Sequence, residues 1–233
     1  LAMLEVIKRN NLPLDKIVHV EIMATKTLHA DIPPMIAFKE KADRIIYDRY
    51  GIKVEHISSP KTYEDYFYSI SNGKKSLYAG KIYGFPMQKG NWCTGRLKQS
   101  VLQKVQRGAV VYIGIAADEP KRLHNLSATK RSPLVEYGWT EKMCHDWCKE
   151  NGLLSPIYAT SERGGCWFCH NQSVEQLRIL RKQYPQLWEK LMKWDLDSPI
   201  SFKANGRTVH DFDKRFRLEE QEKVPMARNF DGI

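Results

Sequence analysis

RGGCWFCH, from Arg163 to His170, sets Cys166 and Cys169 at the C-x-x-C spacing with which two thiolates grip one metal ion. Gly164 and Gly165 let the backbone wrap closely around a bound ion or cluster. A closed site needs more ligands. Cys93, in WCTGRLK, is one distant candidate, and His170 adjoins the pair. Cys144 and Cys148 lie one helical turn apart and share a face, which makes Cys148 a candidate fourth ligand. Four thiolates from this set would close a structural zinc site; three or four would hold an iron–sulfur cluster. Trp139, Met143 and Trp147 form an apolar face beside Cys144 and Cys148, however, and a free cysteine packs as a small hydrophobe. For those two, core packing is the favoured reading. A redox dithiol is disfavoured for Cys166 and Cys169, because such motifs open a helix directly after a strand and no strand is evident before Gly164.

ADEPKR (117–122) is the second stretch with chemical potential. Asp118 and Glu119 suit Mg²⁺ or ligand hydroxyls, and Lys121 and Arg122 suit a phosphate or sulfate. Arg96 and Lys98, beside Cys93 at an expected helix start, form another candidate anion site. A solvated charged loop is the competing reading of ADEPKR. There is no G-x-x-x-x-G-K-[ST], no G-x-G-x-x-G and no H-E-x-x-H, and the seven histidines are scattered.

Lys and Arg outnumber Asp and Glu by 37 to 27, a formal net charge of +10, which favours an anionic partner such as a nucleotide, a sulfate ester or a nucleic acid. No apolar run approaches the roughly 20 residues of a membrane helix, so no membrane partner is expected. Five cysteines, an odd count at irregular spacing, make a poor disulfide framework and point to a reducing, cytoplasmic setting.

The elements that must position these groups read as α/β. Residues 1–11 form a helix, 16–25 a buried strand, Pro33 to Tyr50 a helix stopped by Gly51, and 52–59 a second strand. A turn is expected at Asn72-Gly73, then a loop through Gly90, a helix from Arg96 to Arg107, and in AVVYIGIAA (109–117) the clearest strand. Such alternation implies a doubly wound parallel sheet with ligands at the carboxyl ends of its strands. Trp139 to Asn151 reads as a helix ended by Gly152, and Ser173 caps one long helix to about Asp195. An Asn205-Gly206 turn then precedes a charged helix. The expected division is an α/β core over 1–125 and a mostly helical region carrying the cysteine loop over 126–233.

WCTGRLK, YIGIAADEPKR, SPLVEYGWTE and RGGCWFC occur in this order. The set resembles the phosphoadenosine phosphosulfate (PAPS) reductase family, within the adenine nucleotide α-hydrolase-like group of ATP pyrophosphatase folds, over roughly residues 1 to 172. The resemblance implies a doubly wound α/β sandwich binding ATP or a PAPS-type nucleotide, with Mg²⁺. It implies that the strand end around Met23, with Asp31, lines the adenine and ribose pocket. It sets Arg96, Glu119 and Lys121 on the substrate and gives the catalytic work to Lys98, Asp118 and Arg122. It assigns a zinc ion or iron–sulfur cluster to Cys93, Cys166 and Cys169, with Cys148 as a possible fourth ligand. The family also carries a Ser-Gly-Gly-x-Asp-Ser-like loop before a helix reading like LAMLEVIKR. That loop is then expected ahead of Leu1, and residues 1–233 without it are expected to bind ATP weakly.

Two departures narrow the chemistry. Trp92 stands where cluster-bearing relatives have the first of two adjacent cysteines, and VPMARNFDGI lacks the Glu-Cys-Gly-type nucleophile of cluster-free PAPS reductases. ATP-dependent adenylation or sulfur transfer is therefore the leading expectation, with tRNA or DNA as acceptor and a sulfur- or electron-donor protein as partner. A sulfonucleotide reductase proper is one alternative. The other is a zinc-stapled nucleic-acid-binding protein without catalysis, using Trp167 and Phe168 for stacking.

Overall fold

Ile17–Glu21 (β1) and Val54–Ser58 (β2) pair in parallel, with Ile17 opposite Val54 and Glu21 opposite Ser58. Parallel neighbours need a long crossover, and Pro33–Tyr50 (α2) supplies its helix. Two prolines start α2, where no N–H partner is missed, and Gly51 ends it at φ 68°, a left-handed conformation that glycine adopts without strain. The computed structural model describes residues 1–72, 79–86, 91–159 and 164–221. Gly73 of the expected turn, Gly90 and Arg163 lie outside the described residues.

The chain divides into two units. The first comprises Leu1–Ile22, Asp31–Pro60 and Gly95–Gly164. Its helix Ala2–Arg9 (α1) buries Leu4 and Ile7 against Ile46 of α2 and Val54 of β2. Its second unit-wide feature is a parallel pair, Val111–Tyr112 (β3) with Lys130–Arg131 (β4). The strand expected over 109–117 is thus confined to two residues. An apolar run becomes a strand only where a partner backbone continues the ladder, and here the partner turns at Ser132 into a short helix, Pro133–Glu136 (α6). Val110 is exposed, whereas Ile115 and Ala116 are buried without a ladder. Ser132 caps α6 and donates its hydroxyl to the Ile115 carbonyl at 2.7 Å, which satisfies that strand end.

The second unit comprises Met23–Ala30, Lys61–Thr94 and residues from Gly165 onward. It is built of helices: Tyr63–Phe67 (α3), Trp92–Thr94 (α4), Val174–Gln183 (α8), Pro185–Asp197 (α9) and Val209–Glu220 (α10). Capping boxes open α3, α8 and α10, at Thr62/Asp65, Ser173/Gln176 and Thr208/Asp211. The single helix expected from Ser173 to Asp195 is broken at Tyr184. Pro185 lacks an N–H and forces the residue before it out of helical geometry, and Tyr184 adopts φ −132°, ψ 63°. Between α4 and the helix Ser100–Val105 (α5), a π-helical turn spans Gly95–Gln99.

The chain is therefore α/β, with two small parallel sheets among the described residues. No helix among them is long and apolar enough to cross a membrane.

Candidate functional site

Tyr63 is the centre of the aromatic core of the second unit. Its side chain is 1% exposed. The ring stacks on Trp92 at 4.9 Å and lies 4.0 Å from Phe168, 5.1 Å from Trp194 and 6.0 Å from Phe67. Trp92 precedes Cys93, and Phe168 stands between Cys166 and Cys169. The phenol is thus clasped by the neighbours of all three cysteines. Burial pushes its pKa well above the usual tyrosine value, and negative charge on Cys93, Cys166 and Cys169 adds to that rise.

The cysteine loop is held by its backbone. The Cys169 N–H donates to the Cys166 carbonyl at 3.0 Å, and the Gln172 side-chain amide donates to the same carbonyl. Trp167 fixes the loop to the segment Met23–Ala30 twice: its backbone N–H donates to Ala30 and its indole to His29, both at 2.9 Å. The Lys203 ammonium donates to the carbonyls of His170 and Gln172. A turn so tethered can present two thiols together without relying on a disulfide. No disulfide links any of the five cysteines.

Soft thiolates are the donor set that zinc and iron–sulfur clusters use. Two buried donors, Tyr63 Oη and Trp92 Nε1, lack a hydrogen-bond partner beside them. Among the described residues, no three His, Cys, Asp or Glu side chains stand in ligating proximity. Cys148 lies in the first unit, packed with Cys144 against Ala2, Trp147 and Leu153. Trp139 and Trp147 of the expected apolar face pack there, whereas Met143 of Glu141–Glu150 (α7) is exposed, and burial raises the Cys144 pKa.

The charged candidates are arranged less openly than their sequence suggests. Glu119 accepts the Ala116 N–H at 2.9 Å and the Arg122 guanidinium at 2.7 Å, and these bonds hold its carboxyl below the usual range. Arg122 and Glu119 thus face each other. Asp118 accepts the Glu141 N–H at 2.9 Å and caps the start of α7. Lys121, Arg96 and Lys98 are exposed, the last two on the π-helical turn. Asp31 pairs with Lys39 of α2. The Met23 carbonyl accepts the Tyr63 N–H at 2.8 Å, which links the expected pocket strand to α3 within the second unit.

One constellation escaped the sequence reading. His19 on β1 and His56 on β2 stand opposite in register, their rings 5.5 Å apart. His56 is gripped through both nitrogens, by Glu21 at 2.8 Å and Asp43 of α2 at 2.7 Å. The signal lay in strand periodicity, since His19 and Glu21 share one face of β1, but the register was needed to add His56. Burial lowers the His56 pKa, yet the two carboxylates outweigh it and the net shift is upward. Desolvation of the half-buried His19, with Lys39 and His56 nearby, shifts its pKa down. A raised folded value stabilises below the unfolded pKa, about 6.5, and that contribution fades as pH rises through the folded value. The wild type is expected to exceed His56→Gln by about 0.5–1 kcal/mol in mildly acidic buffer and to converge with it in alkaline buffer. Urea unfolding across that range checks this; a gap that widens toward high pH would refute it. Neutral His19 contributes the opposite slope, so the comparison is made between the two proteins at each pH.

No family model matches the chain. A curated protein of Methanocaldococcus jannaschii, described as "Uncharacterized protein MJ0066", is 22% identical over 193 residues, which cover 72% of this chain and 37% of that protein. The chain spans little more than a third of that relative's length. No solved structure matches. At this identity and coverage, the likeness brings a relative but no activity.

Proposed function

We propose that this chain belongs to an adenine-nucleotide-dependent enzyme of sulfur chemistry, of the PAPS reductase type, in which Cys93, Cys166 and Cys169 hold a zinc ion or an iron–sulfur cluster. The observation that carries the reading is the gathering of three cysteines, from two distant stretches of chain, around one buried phenol. The ordered motifs, the β1–α2–β2 crossover and the net charge of +10 support the nucleotide half. On this reading β1 and β2 belong to a doubly wound sheet. ATP or a PAPS-type nucleotide with Mg²⁺ lies at its carboxyl edge, and exposed Arg96, Lys98 and Lys121 attract the phosphates. The acceptor is an anionic macromolecule such as tRNA or DNA.

A zinc ion would cross-link the two thiol-bearing segments, and a cluster would add electron or sulfur transfer. The residues already present have separate tasks. Trp167 and Lys203 fix the loop, and Tyr63, Trp92 and Phe168 form an aromatic wall beside the half-buried cysteines. Protein purified anaerobically is expected to contain about one zinc or one cluster per chain, and Cys166→Ala to lose it. Zinc, iron and acid-labile sulfide analysis checks this. Iron with sulfide favours sulfur transfer, zinc favours a staple, and a metal-free wild type refutes the site. Pyrophosphate release from ATP by the full-length protein tests the nucleotide half separately.

A further inference from the structure

In the first unit, the face of β1 and β2 that meets α2 carries an unbalanced set of charges around His19. The His56 ring opposite it has Glu21 at Nδ1 and Asp43 of α2 at Nε2, at 2.8 and 2.7 Å. Ionised carboxylates only accept, so both nitrogens donate and the His56 ring carries a proton. Asp31, just ahead of α2, pairs with Lys39 on that helix. Lys16 and Glu55 pair with each other, and strand alternation sets them on the other face. His19 is thus surrounded by three carboxylates, Glu21, Asp31 and Asp43, and by two cations, Lys39 and His56. One negative charge is left over. His19 is the group that can balance it by taking up a proton, and its Nε2 is buried with no hydrogen-bond partner among the described residues. Burial and the Lys39 ammonium oppose that proton and hold the pKa of the ring below the usual histidine value. The opposition is removable, because Lys39 has a long side chain, 26% exposed, whose ammonium can reach water.

We propose that β1, β2 and α2 form a proton switch, in which His19 takes up a proton in acid and replaces Lys39 as the partner of Asp31, while Lys39 turns to solvent. The proton comes from water and returns to it as pH rises. In the neutral state Lys39 ties Asp31 to α2. In the protonated state Asp31 is tied to β1, and the face holds three cations against three carboxylates. The tether of the chain entering α2 thus passes from helix to strand. His56 is the fixed member of the pair, since its two carboxylates hold its proton through the exchange.

The test follows the whole, isotope-labelled chain by NMR from mildly alkaline to acidic buffer. The His19 Cε1–H, Asp31 carboxyl and Lys39 Cε resonances are expected to move together with one midpoint, below that of His56. His19→Gln is expected to abolish the Asp31 and Lys39 movements over that range. Lys39→Met, which removes the competing cation, is expected to strengthen proton binding at His19 about 10-fold, and Asp31→Asn to weaken it about as much. Lys53→Met, at an exposed lysine ahead of β2, is expected to leave the midpoint in place. An Asp31 carboxyl that does not follow His19 overturns the proposal, as does a Lys39→Met midpoint equal to the wild type's. An equal shift in Lys53→Met overturns it too, since it would reduce the effect to the general field of the chain. So does a His19 ring that stays neutral until the chain unfolds. Asp31→Asn decides the matter where Lys39→Met fails to fold.

Discussion

Asp213→Ala is expected to destabilise the chain by about 1–3 kcal/mol, the cost of leaving the buried Trp188 indole and the part-buried Arg181 guanidinium without this acceptor. Asp213 is 6% exposed on α10, and both of its oxygens are used. One accepts from Arg181 of α8 at 2.8 Å and from the Trp188 indole of α9 at 2.9 Å. The other accepts from Arg217, one turn along α10, at 2.7 Å. A single carboxylate thus ties three helices. Burial works against its charge, but these three donors prevail and hold the carboxyl below the usual aspartate range. A depressed folded value stabilises above the unfolded pKa, near 3.9, and the contribution is lost as pH falls through the folded value. The urea midpoint of the wild type should therefore exceed that of Asp213→Ala at neutral pH, with the gap closing in strong acid. Asp213→Asn, which keeps one acceptor but no charge, should lie between them. A neutral-pH gap under about 1 kcal/mol would show that the bonds merely balance desolvation.

Trp194→Ala is expected to cost more, about 3–5 kcal/mol, through a cavity. Trp194 is fully buried on α9. Its ring stacks on Trp167 at 5.3 Å and meets Tyr63 at 5.1 Å, Phe168 at 5.5 Å and Phe67 at 5.7 Å. The indole donates to Glu64 at 3.1 Å, and Lys190 bonds that same carboxylate at 2.5 Å while lying over the ring. Such interlocked rings cannot collapse into the space of a lost indole, so the cavity cost is not recovered. Trp167 and Phe168 belong to the cysteine loop, so under the proposed function the variant should also retain less metal than the wild type. Thermal unfolding and metal content of one preparation check both. Trp194→Phe, with the ring volume largely kept, should lose about 1 kcal/mol for the indole bond plus a smaller packing cost. Equal losses for Ala and Phe would place the stability in the Glu64 bond instead of the stack.

Local chemistry was legible where a residue acts on its own neighbours. Pro33, Gly51, Gly152, Ser173 and Gly206 mark helix ends and turns because a ring, a missing Cβ or a hydroxyl acts within one turn of chain. Pro185 carried the same kind of signal, and the break at Tyr184 obeys it. The strand over 109–117 was misread because apolar composition reports burial, and burial does not require a ladder. Ile115 and Ala116 are buried as loop, and only Val111–Tyr112 finds a partner, in the polar pair Lys130–Arg131.

The candidate site divides along the same line. Sequence alone determined which residues are of the types that bind a soft metal, and that Cys144 and Cys148 share one face beside apolar residues, since spacing along one element sets who shares a side. It also determined the net charge of +10. Only the tertiary structure brought Cys93 to Tyr63, closed Arg122 onto Glu119, assigned Asp118 to the cap of α7, and set His19 beside His56. These are contacts between distant stretches or choices among competing acceptors. They are decided by which burial and hydrogen-bond pattern the whole chain can satisfy at once, and no local window contains that information.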